Sequence, residues 1–145
     1  MRIIISTHVK KNYQVVFARF GEALFLRLNP PLIPIKLLRF DGMQVDDEVH
    51  LELSFFHKKQ KWVSRITEFV ANPDEIYFVD EGIQLPSFLK SWRHQHRIVR
   101  QNGHTVIIDD IRFHSTFRVF DYLLYPFLYL QFLYRKPVYK KALKA

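Results

Sequence analysis

The chain has 145 residues, contains no cysteine and carries a formal net charge of +8. A chain of this length buries enough surface for one substantial core, so we expect a single domain over residues 1–145. The lack of cysteine excludes a disulfide framework and a thiolate metal site, and it favours a cytoplasmic location.

The positive charge is concentrated near the end of the chain. Residues 135–145 hold five of the 22 basic residues and no acid, which leaves 17 basic against 14 acidic side chains elsewhere. A nucleic-acid interface would more often interleave basic and aromatic residues across a folded surface or carry a known motif. We therefore expect no nucleic-acid partner, and we interpret the tail as the end of a helix, where the dipole favours cations.

The first forty residues predict a strand followed by two short helices. Residues 1–8 form an apolar run that is too short for a signal peptide and fits a first strand. Asn12 is a candidate N-cap, and Gly21 interrupts the helical pattern that follows it. The residues at helical spacing are Val16, Phe17, Phe20 and Leu24. Pro30 and Pro31 should end this region, because proline cannot continue the backbone hydrogen bonds.

Residues 36–113 predict strands joined by short turns. The clearest alternation places Val49, Leu51 and Leu53 on one face and polar residues on the other. The expected strands are 37–40, 48–55, 62–70, 75–81, 91–99 and 105–113, with a polar link at 57–61 and a looser segment over 83–90. Short connections of this kind are typical of an antiparallel meander.

The last third of the chain predicts one long helix that Asp121 can begin. Residues 122–134 are apolar almost all round, so we expect this helix to be buried on most sides. Pro126 would fall within its first turns, where a missing N–H costs least. The apolar run is shorter than the roughly 20 residues that span a bilayer, so no stable membrane insertion is expected.

Alternation in the strand 91–99 places Trp92, His94 and His96 on one face. If the next strand turns Ile107 inward, Asp109 points inward too and could contact either imidazole. Such a carboxylate would orient the imidazole and raise its pKa, as in general acid/base sites. His94, His96 and Asp109 are therefore the candidate catalytic residues, although a His–Asp contact in a sheet is more often a structural hydrogen bond.

A metal site is a weaker interpretation of the same residues. His94 and His96 have same-face spacing, and Asp109 or His114 could add a third ligand. Because no further ligand stands at a recognisable spacing, we expect no metal. No phosphate-binding loop, Rossmann pattern, nucleophile elbow or zincin helix occurs, and with four glycines in the chain we expect no cofactor.

Three charged residues within the predicted strands have separate interpretations. Arg39 and Arg65 could anchor a carboxylate ligand, but we expect both on the surface. Glu68 shares a strand face with Ser64 and Ile66, so it could be a buried acid.

The chain resembles the START, Bet v 1 and polyketide-cyclase (SRPBCC) superfamily, and in particular bacterial ligand-binding proteins of this type. The segments that carry the resemblance are Lys36–Gly42, Asp47–Leu53, Phe78–Glu81, Trp92–Arg97 and Asp109-Asp110. The resemblance implies an α+β helix-grip fold. In that fold a curved antiparallel sheet of about six or seven strands surrounds a long C-terminal helix, with two short helices after the first strand and a cavity between sheet and helix.

From this fold we expect binding or carriage of a small hydrophobic or amphipathic ligand, such as a lipid or an aromatic, polyketide-like metabolite. The expected cavity residues are Trp92, His94, His96, Ile107, Asp109, Leu124, Leu128 and Phe132. One alternative is a cyclase-, aromatase- or hydrolase-like enzyme that uses a His–Asp pair. Another is a peripheral membrane or partner-binding module that uses the basic tail 135–144. A homodimer is possible.

Overall fold

The computed structural model describes residues 1–29, 33–55 and 57–144. Its elements follow the chain in this order: β1 (Arg2–Val9), α1 (Tyr13–Ala18), α2 (Glu22–Leu28), β2 (Ile35–Phe40), β3 (Glu48–Phe55), β4 (Lys58–Ala71), β5 (Glu75–Gln84), β6 (Leu89–Gln101), β7 (His104–Ser115), α3 (Arg118–Leu133) and α4 (Arg135–Ala142). Pro30, Pro31 and Ala145 lie outside the described residues, so the predicted proline stop is not tested.

The seven strands form one curved antiparallel sheet in the order β1-β7-β6-β5-β4-β3-β2. Strands β2 to β7 are a meander, in which each strand pairs with its neighbour in sequence. Strand β1 pairs with β7 instead, with Arg2 opposite Arg112. Helices α3 and α4 lie on the concave face and contact β7 and β1. The predicted helix-grip architecture is confirmed.

Strand β4 departs from the predicted pattern at two register shifts, one between Val63 and Ser64 and one between Ile66 and Glu68. Such bulges bend a strand and change which face the following side chains occupy. Glu68 is therefore exposed and lies 3.6 Å from Arg93, so the structure resolves the open question of its burial in favour of the surface. Arg39 and Arg65 lie on the surface as expected, paired with Asp41 and Glu48 respectively.

Two of the predicted strand ends are wrong. Strand β4 begins at Lys58, so most of the expected polar link at 57–61 is strand: polar side chains still allow the backbone to pair with β3. Strand β5 runs through Gly82 to Gln84, because Gly82 pairs with Ser64 at the first bulge instead of ending the strand. The looser segment is confined to the residues between Gln84 and Leu89.

The terminal helix begins earlier than predicted and is divided in two. Helix α3 starts at Arg118, and Asp121 lies in its first turn, where it accepts hydrogen bonds from the backbone N–H and Oγ of Ser115 (2.5 and 2.7 Å). Pro126 is therefore well inside α3, not in its first turn. Tyr134 separates α3 from α4, so the single predicted helix is two consecutive helices.

Helix α3 is buried on one side only, which corrects the expectation of burial on most sides. Leu128 and Phe132 face the sheet and are buried. The opposite side, called here the outer face of α3, consists of Val119, Tyr122, Leu123 and Leu130, which are 63%, 65%, 66% and 59% exposed. A single sheet covers only one side of a helix. Among the described residues, no helix is both long and apolar enough to cross a membrane.

The packed interior has two parts. One is built around α1, α2 and α4, where fully buried Tyr139 stacks on Phe20 with ring centres 5.9 Å apart. The other lies under α3, where Trp92 and Phe132 pack against β1 and β7. Between them the concave face of the sheet is left partly unfilled.

Candidate functional site

A cavity of about 730 Å³ lies between the concave face of the sheet and helices α2 and α3. Most of its wall is aliphatic or aromatic, and includes Leu24, Leu51, Leu53, Trp62, Phe127 and Leu128. Its polar wall residues include Gln60, Ser64, Asp80, His94, His96, Gln131 and Arg135. An apolar cavity with a few convergent polar groups is the usual form of a small-molecule site.

Five side chains form a polar cluster at one end of this cavity, called here the histidine cluster: Asp80, His94, His96, Asp109 and Arg135. The sheet register assembles it, because Asp80 on β5 stands opposite His94 on β6, and Asp109 on β7 stands opposite His96. The hydrogen bonds run along the diagonals of this arrangement. His94 donates from Nε2 to Asp109 Oδ1 (2.9 Å), and His96 donates from Nε2 to Asp80 Oδ2 (2.8 Å).

The His94–Asp109 pair is the more deeply buried of the two. His94 is 2% exposed and Asp109 is fully buried. Burial, helped by the neighbouring His96, lowers the pKa of His94 to about 4, so His94 is a neutral imidazole near pH 7. Burial opposes ionisation of Asp109. The hydrogen bond from His94 and the charge of Arg135 together outweigh it and hold the Asp109 pKa below its ordinary value.

The guanidinium of Arg135 supports Asp109 from the beginning of α4. Its Nη1 atom is 3.5 Å from Asp109 Oδ1, and its central carbon lies 4.3 Å from the centre of the Phe132 ring. Arg135 is 8% exposed, so it is part of the interior and not of the basic surface of the tail.

The His96–Asp80 pair borders the cavity directly. The His96 ring stacks on Phe78 with ring centres 4.4 Å apart, and Trp92 donates from Nε1 to Asp80 Oδ1 (3.2 Å). Burial disfavours the Asp80 carboxylate, but the hydrogen bond from His96 and the nearby imidazoles lower its pKa overall. Both oxygens of Asp80 therefore accept a hydrogen bond from β6.

The structure places most of the expected cavity residues in the cavity wall. Trp92, His94, His96, Leu124, Leu128 and Phe132 line it. Two expected residues lie elsewhere. Ile107 packs in the core opposite Ile98, and Asp109 lies behind the imidazoles of His94 and His96. Whether the lining residues contact a ligand stays a prediction.

His114, the other suggested third metal ligand, lies outside the histidine cluster. Strand alternation buries its neighbours Phe113 and Ser115 and turns His114 outward. Its side chain is 67% exposed and lies 3.6 Å from Asp121.

Sequence reasoning missed Asp80 and Arg135 as members of the cluster. Alternation in β5 contained a usable signal for Asp80, because Ile76 and Phe78 are buried on the same face four and two residues earlier. Arg135 gave no such signal, because the sequence places it among the basic residues of the tail and its burial depends on how α4 packs against the rest of the fold. Asp80, His94 and His96 bring three ligand atoms within 4.8 Å of one another, close enough for the three to hold one metal ion.

No family model and no curated protein matches the chain. Solved structures do match. Protein CV1439 from Chromobacterium violaceum is 15% identical, with a TM-score of 0.70 over 100% of this chain and 99% of that one. The ZhuI aromatase/cyclase from Streptomyces sp. R1128 is 11% identical, with a TM-score of 0.67 over 96% and 90%. Ginseng major latex-like protein 151 from Panax ginseng is 15% identical, with a TM-score of 0.55 over 90% and 95%.

At these identities the comparisons show the fold. The chain has the helix-grip fold of SRPBCC-type proteins, as its motifs predicted. Because proteins of one fold carry different functions, the function has to be argued from the cavity and its side chains.

Proposed function

We propose that this protein binds a small hydrophobic or amphipathic molecule, such as a lipid or an aromatic, polyketide-like metabolite, in the cavity under α3. The observation that carries the proposal is the 730 Å³ cavity with its largely apolar wall. That volume falls within the roughly 300–1,000 Å³ typical of ligand pockets. We also retain the predicted cytoplasmic location as part of the proposal.

The distribution of wall residues indicates how such a ligand would be oriented. Trp62 and Trp92 meet edge to face, with ring centres 4.9 Å apart, and both border the cavity. The histidine cluster lies beside Trp92 and supplies hydrogen-bonding groups. The apolar part of the ligand would therefore lie against the tryptophans and the leucines of β3, and its polar atom would point towards His96 and Asp80.

Intrinsic fluorescence tests this proposal directly, because the only two tryptophans of the sequence both border the cavity. The protein, kept in EDTA, is titrated with long-chain fatty acids and with planar polycyclic phenols. We expect saturable quenching or a spectral shift with at least one class.

The double variant Leu51→Phe/Leu53→Phe fills the cavity and should weaken binding at least tenfold. The matched control Glu52→Phe, on the same strand but facing outward, should bind as the wild type does. Absence of any saturable response across the panel, or equal binding by the filled variant, contradicts the proposal.

A catalytic role is a second candidate because one His–Asp pair reaches the ligand space. His96 and Asp80 border the cavity and are hydrogen-bonded at 2.8 Å, so His96 could exchange a proton with a bound ligand. Under this candidate, His96→Gln would abolish turnover of a bound polyketide-like or ester probe and leave its affinity within about threefold. Equal loss of affinity and turnover, or no turnover by the wild type, would restrict the protein to binding.

A third candidate, docking on an anionic membrane surface, is favoured by the outer face of α3. This exposed apolar stripe adjoins α4, where Lys140, Lys141 and the following Lys144 are exposed. Apolar and cationic residues side by side are the combination that binds anionic lipid surfaces.

Vesicle co-sedimentation tests the membrane candidate. Binding to phosphatidylserine vesicles that falls with salt, and that is lost in Leu123→Asp/Leu130→Asp, would support it. The control Lys58→Asp changes an exposed charge on the sheet and should have little effect. A salt-independent dimer measured by light scattering, lost in the same α3 variant and without vesicle binding, would instead assign the outer face to a second copy.

A further inference from the structure

Asp80, His94 and His96 have the composition and spacing of a three-ligand metal site. We propose that they bind one divalent transition-metal ion of the Zn²⁺ type through Asp80 Oδ2, His94 Nδ1 and His96 Nε2, with a further coordination position open to the cavity. The sequence offered only two of these ligands, both on β6. The third comes from β5, where the register places Asp80 directly opposite His94.

The distances between the ligand atoms suit a metal ion. Asp80 Oδ2 is 2.8 Å from His96 Nε2 and 3.6 Å from His94 Nδ1. Two ligand atoms that each lie about 2.1 Å from Zn²⁺ in tetrahedral geometry are about 3.4 Å apart. The observed separations lie on either side of that value, so small side-chain rotations would complete the coordination. Binding would displace the proton shared by His96 and Asp80 into solution.

Asp109 fixes the tautomer that this site needs. An ionised carboxylate can only accept hydrogen bonds, so the contact of Asp109 Oδ1 with His94 Nε2 places the proton of the neutral imidazole on Nε2. The lone pair of His94 Nδ1 then points towards Asp80 Oδ2, an atom that also carries lone pairs. A cation between these two atoms would replace repulsion with two coordinate bonds.

The surrounding hydrogen bonds match those that support metal ligands in proteins. A ligating histidine usually donates its second ring N–H to a carboxylate, and a ligating carboxylate is itself hydrogen-bonded. Here His94 donates to Asp109, and Asp80 Oδ1 accepts from Trp92 Nε1. Arg135 in turn holds Asp109. Both metal-facing side chains are thus oriented before any ion arrives.

The local charge also favours a cation. In the described part of the chain, the ion pairs of the Asp80 and Asp109 carboxylates involve two histidines and Arg135. Of these partners only the guanidinium of Arg135 carries a permanent positive charge. A divalent ion would offset the remaining negative charge in a poorly hydrated site.

The ligand set selects the class of ion. Two imidazoles and one carboxylate suit Zn²⁺ and neighbouring transition metals, whereas Mg²⁺ and Ca²⁺ prefer all-oxygen sites. Three protein ligands leave a further position, and the three side chains border the cavity. Only this last inference rests on the proposed function: the open position would take an oxygen atom of the cavity ligand, such as a carboxylate, phenolate or carbonyl.

Calorimetric titration of the EDTA-stripped, dialysed full-length chain with Zn²⁺ alone tests the site. We expect one ion per chain, and no comparable uptake of Mg²⁺. His94→Gln, His96→Gln and Asp80→Asn should each weaken Zn²⁺ binding more than a hundredfold. Asp109→Asn, one layer behind, should weaken it about 10- to 100-fold. His104→Gln, which removes an exposed histidine at the start of β7, should leave the affinity unchanged.

A measurement on the wild type keeps the test decisive if a variant fails to fold. Long-range ¹H–¹⁵N spectra distinguish the ring nitrogens of the seven histidines. Zn²⁺ should shift His94 Nδ1 and His96 Nε2 and leave the other five rings in place. Shifts confined to other histidines, no stoichiometric uptake, or equal affinity in His94→Gln and His104→Gln would overturn the proposal. Because no cavity ligand is present, failure here leaves the fluorescence test of ligand binding intact.

Discussion

Asp121 illustrates how one side chain joins a strand to the helix that follows it. Its carboxylate accepts two hydrogen bonds from Ser115, at the end of β7, and stands in the first turn of α3, where the helix dipole favours negative charge. These hydrogen bonds hold the pKa of Asp121 below its ordinary value. The ionised form is therefore the one that the folded state stabilises.

The consequence for pH dependence follows from linkage. Because the folded-state pKa of Asp121 is lowered, its contribution is fully present above the unfolded-state pKa and is lost as the pH falls through the folded-state value. We expect Asp121→Asn to lower the free energy of unfolding at pH 7 and to matter less at pH 3. Urea unfolding of both proteins at the two pH values measures this. A difference that stays constant between them would contradict the role of the charge.

Asp109 and Asp110 provide a matched pair of neighbouring carboxylates on opposite faces of β7. Asp109 is fully buried against His94 and Arg135, whereas Asp110 pairs with the exposed Arg2. In metal-free protein, Asp109→Asn should lower the free energy of unfolding by about 3 kcal/mol, because it leaves a buried guanidinium without its counter-charge. Asp110→Asn should have a much smaller effect. Chemical denaturation of the two variants measures both changes in the free energy of unfolding. Similar decreases in the two variants would show that the buried pair of Asp109 with Arg135 contributes no more than an exposed pair.

At the scale of single residues, the sequence predicted which face of a strand a side chain occupies better than it predicted which side chains it contacts. Period-two alternation correctly placed Trp92, His94 and His96 together on the concave face. It could not show that Asp109 would be covered by the imidazoles, because that depends on the register between β6 and β7. The face of Glu68 could not be decided for a related reason, since the bulge between Ile66 and Glu68 changes the face without changing the spacing in the sequence.

Helix α3 shows that apolar residues on all sides of a helix do not guarantee burial on all sides. Its inner face packs against Trp92 and lines the cavity, and its outer face is exposed. The sequence predicted the helix and its inner residues Leu124, Leu128 and Phe132. It could not predict the solvent-exposed side, because exposure depends on how many layers cover a helix and not on its own pattern.

Truncating a side chain to alanine should destabilise the protein on the inner face of α3 and have little effect on its outer face. Phe132 is 2% exposed and contacts Trp92, so Phe132→Ala should lower the free energy of unfolding by about 3 kcal/mol. Leu123→Ala removes an outer-face side chain and should change it by less than about 0.5 kcal/mol. Thermal and urea unfolding of both variants checks the prediction. A large loss in Leu123→Ala would show that the outer face is covered, for example by a second copy.

On the scale of the whole molecule, the fold leaves a space that a stable core would normally fill. Protein interiors are usually packed as densely as organic crystals, and a cavity of this size forfeits dispersion contacts. The meander and the terminal helix were predictable from turns and alternation, and the helix-grip arrangement was predictable from the resemblance. The size of the cavity was not, because it depends on the curvature of the sheet and on how the helices pack against it.

Filling this space should stabilise the protein while it removes ligand binding. Leu51→Phe/Leu53→Phe adds apolar volume towards the cavity, so we expect its free energy of unfolding to equal or exceed that of the wild type by up to about 2 kcal/mol. Glu52→Phe, on the outer side of the same strand, should not stabilise. Urea unfolding without ligand separates the two. Strong destabilisation of the double variant would mean that the space is not available to side chains.

The pairing of β1 with β7 also determines the order in which the strands of the sheet can pair during synthesis. Arg2 pairs with Arg112, so β1 can join the sheet only after about 110 further residues have been made. At roughly 5–20 residues per second, that delay is roughly 5–20 s. Throughout it, Ile3 and Ile5, which are buried in the finished protein, have no partner strand on the nascent chain. Strand β1 is made before the other strands of this sheet and is therefore among the last to pair, so it is the segment that a chaperone would need to shield.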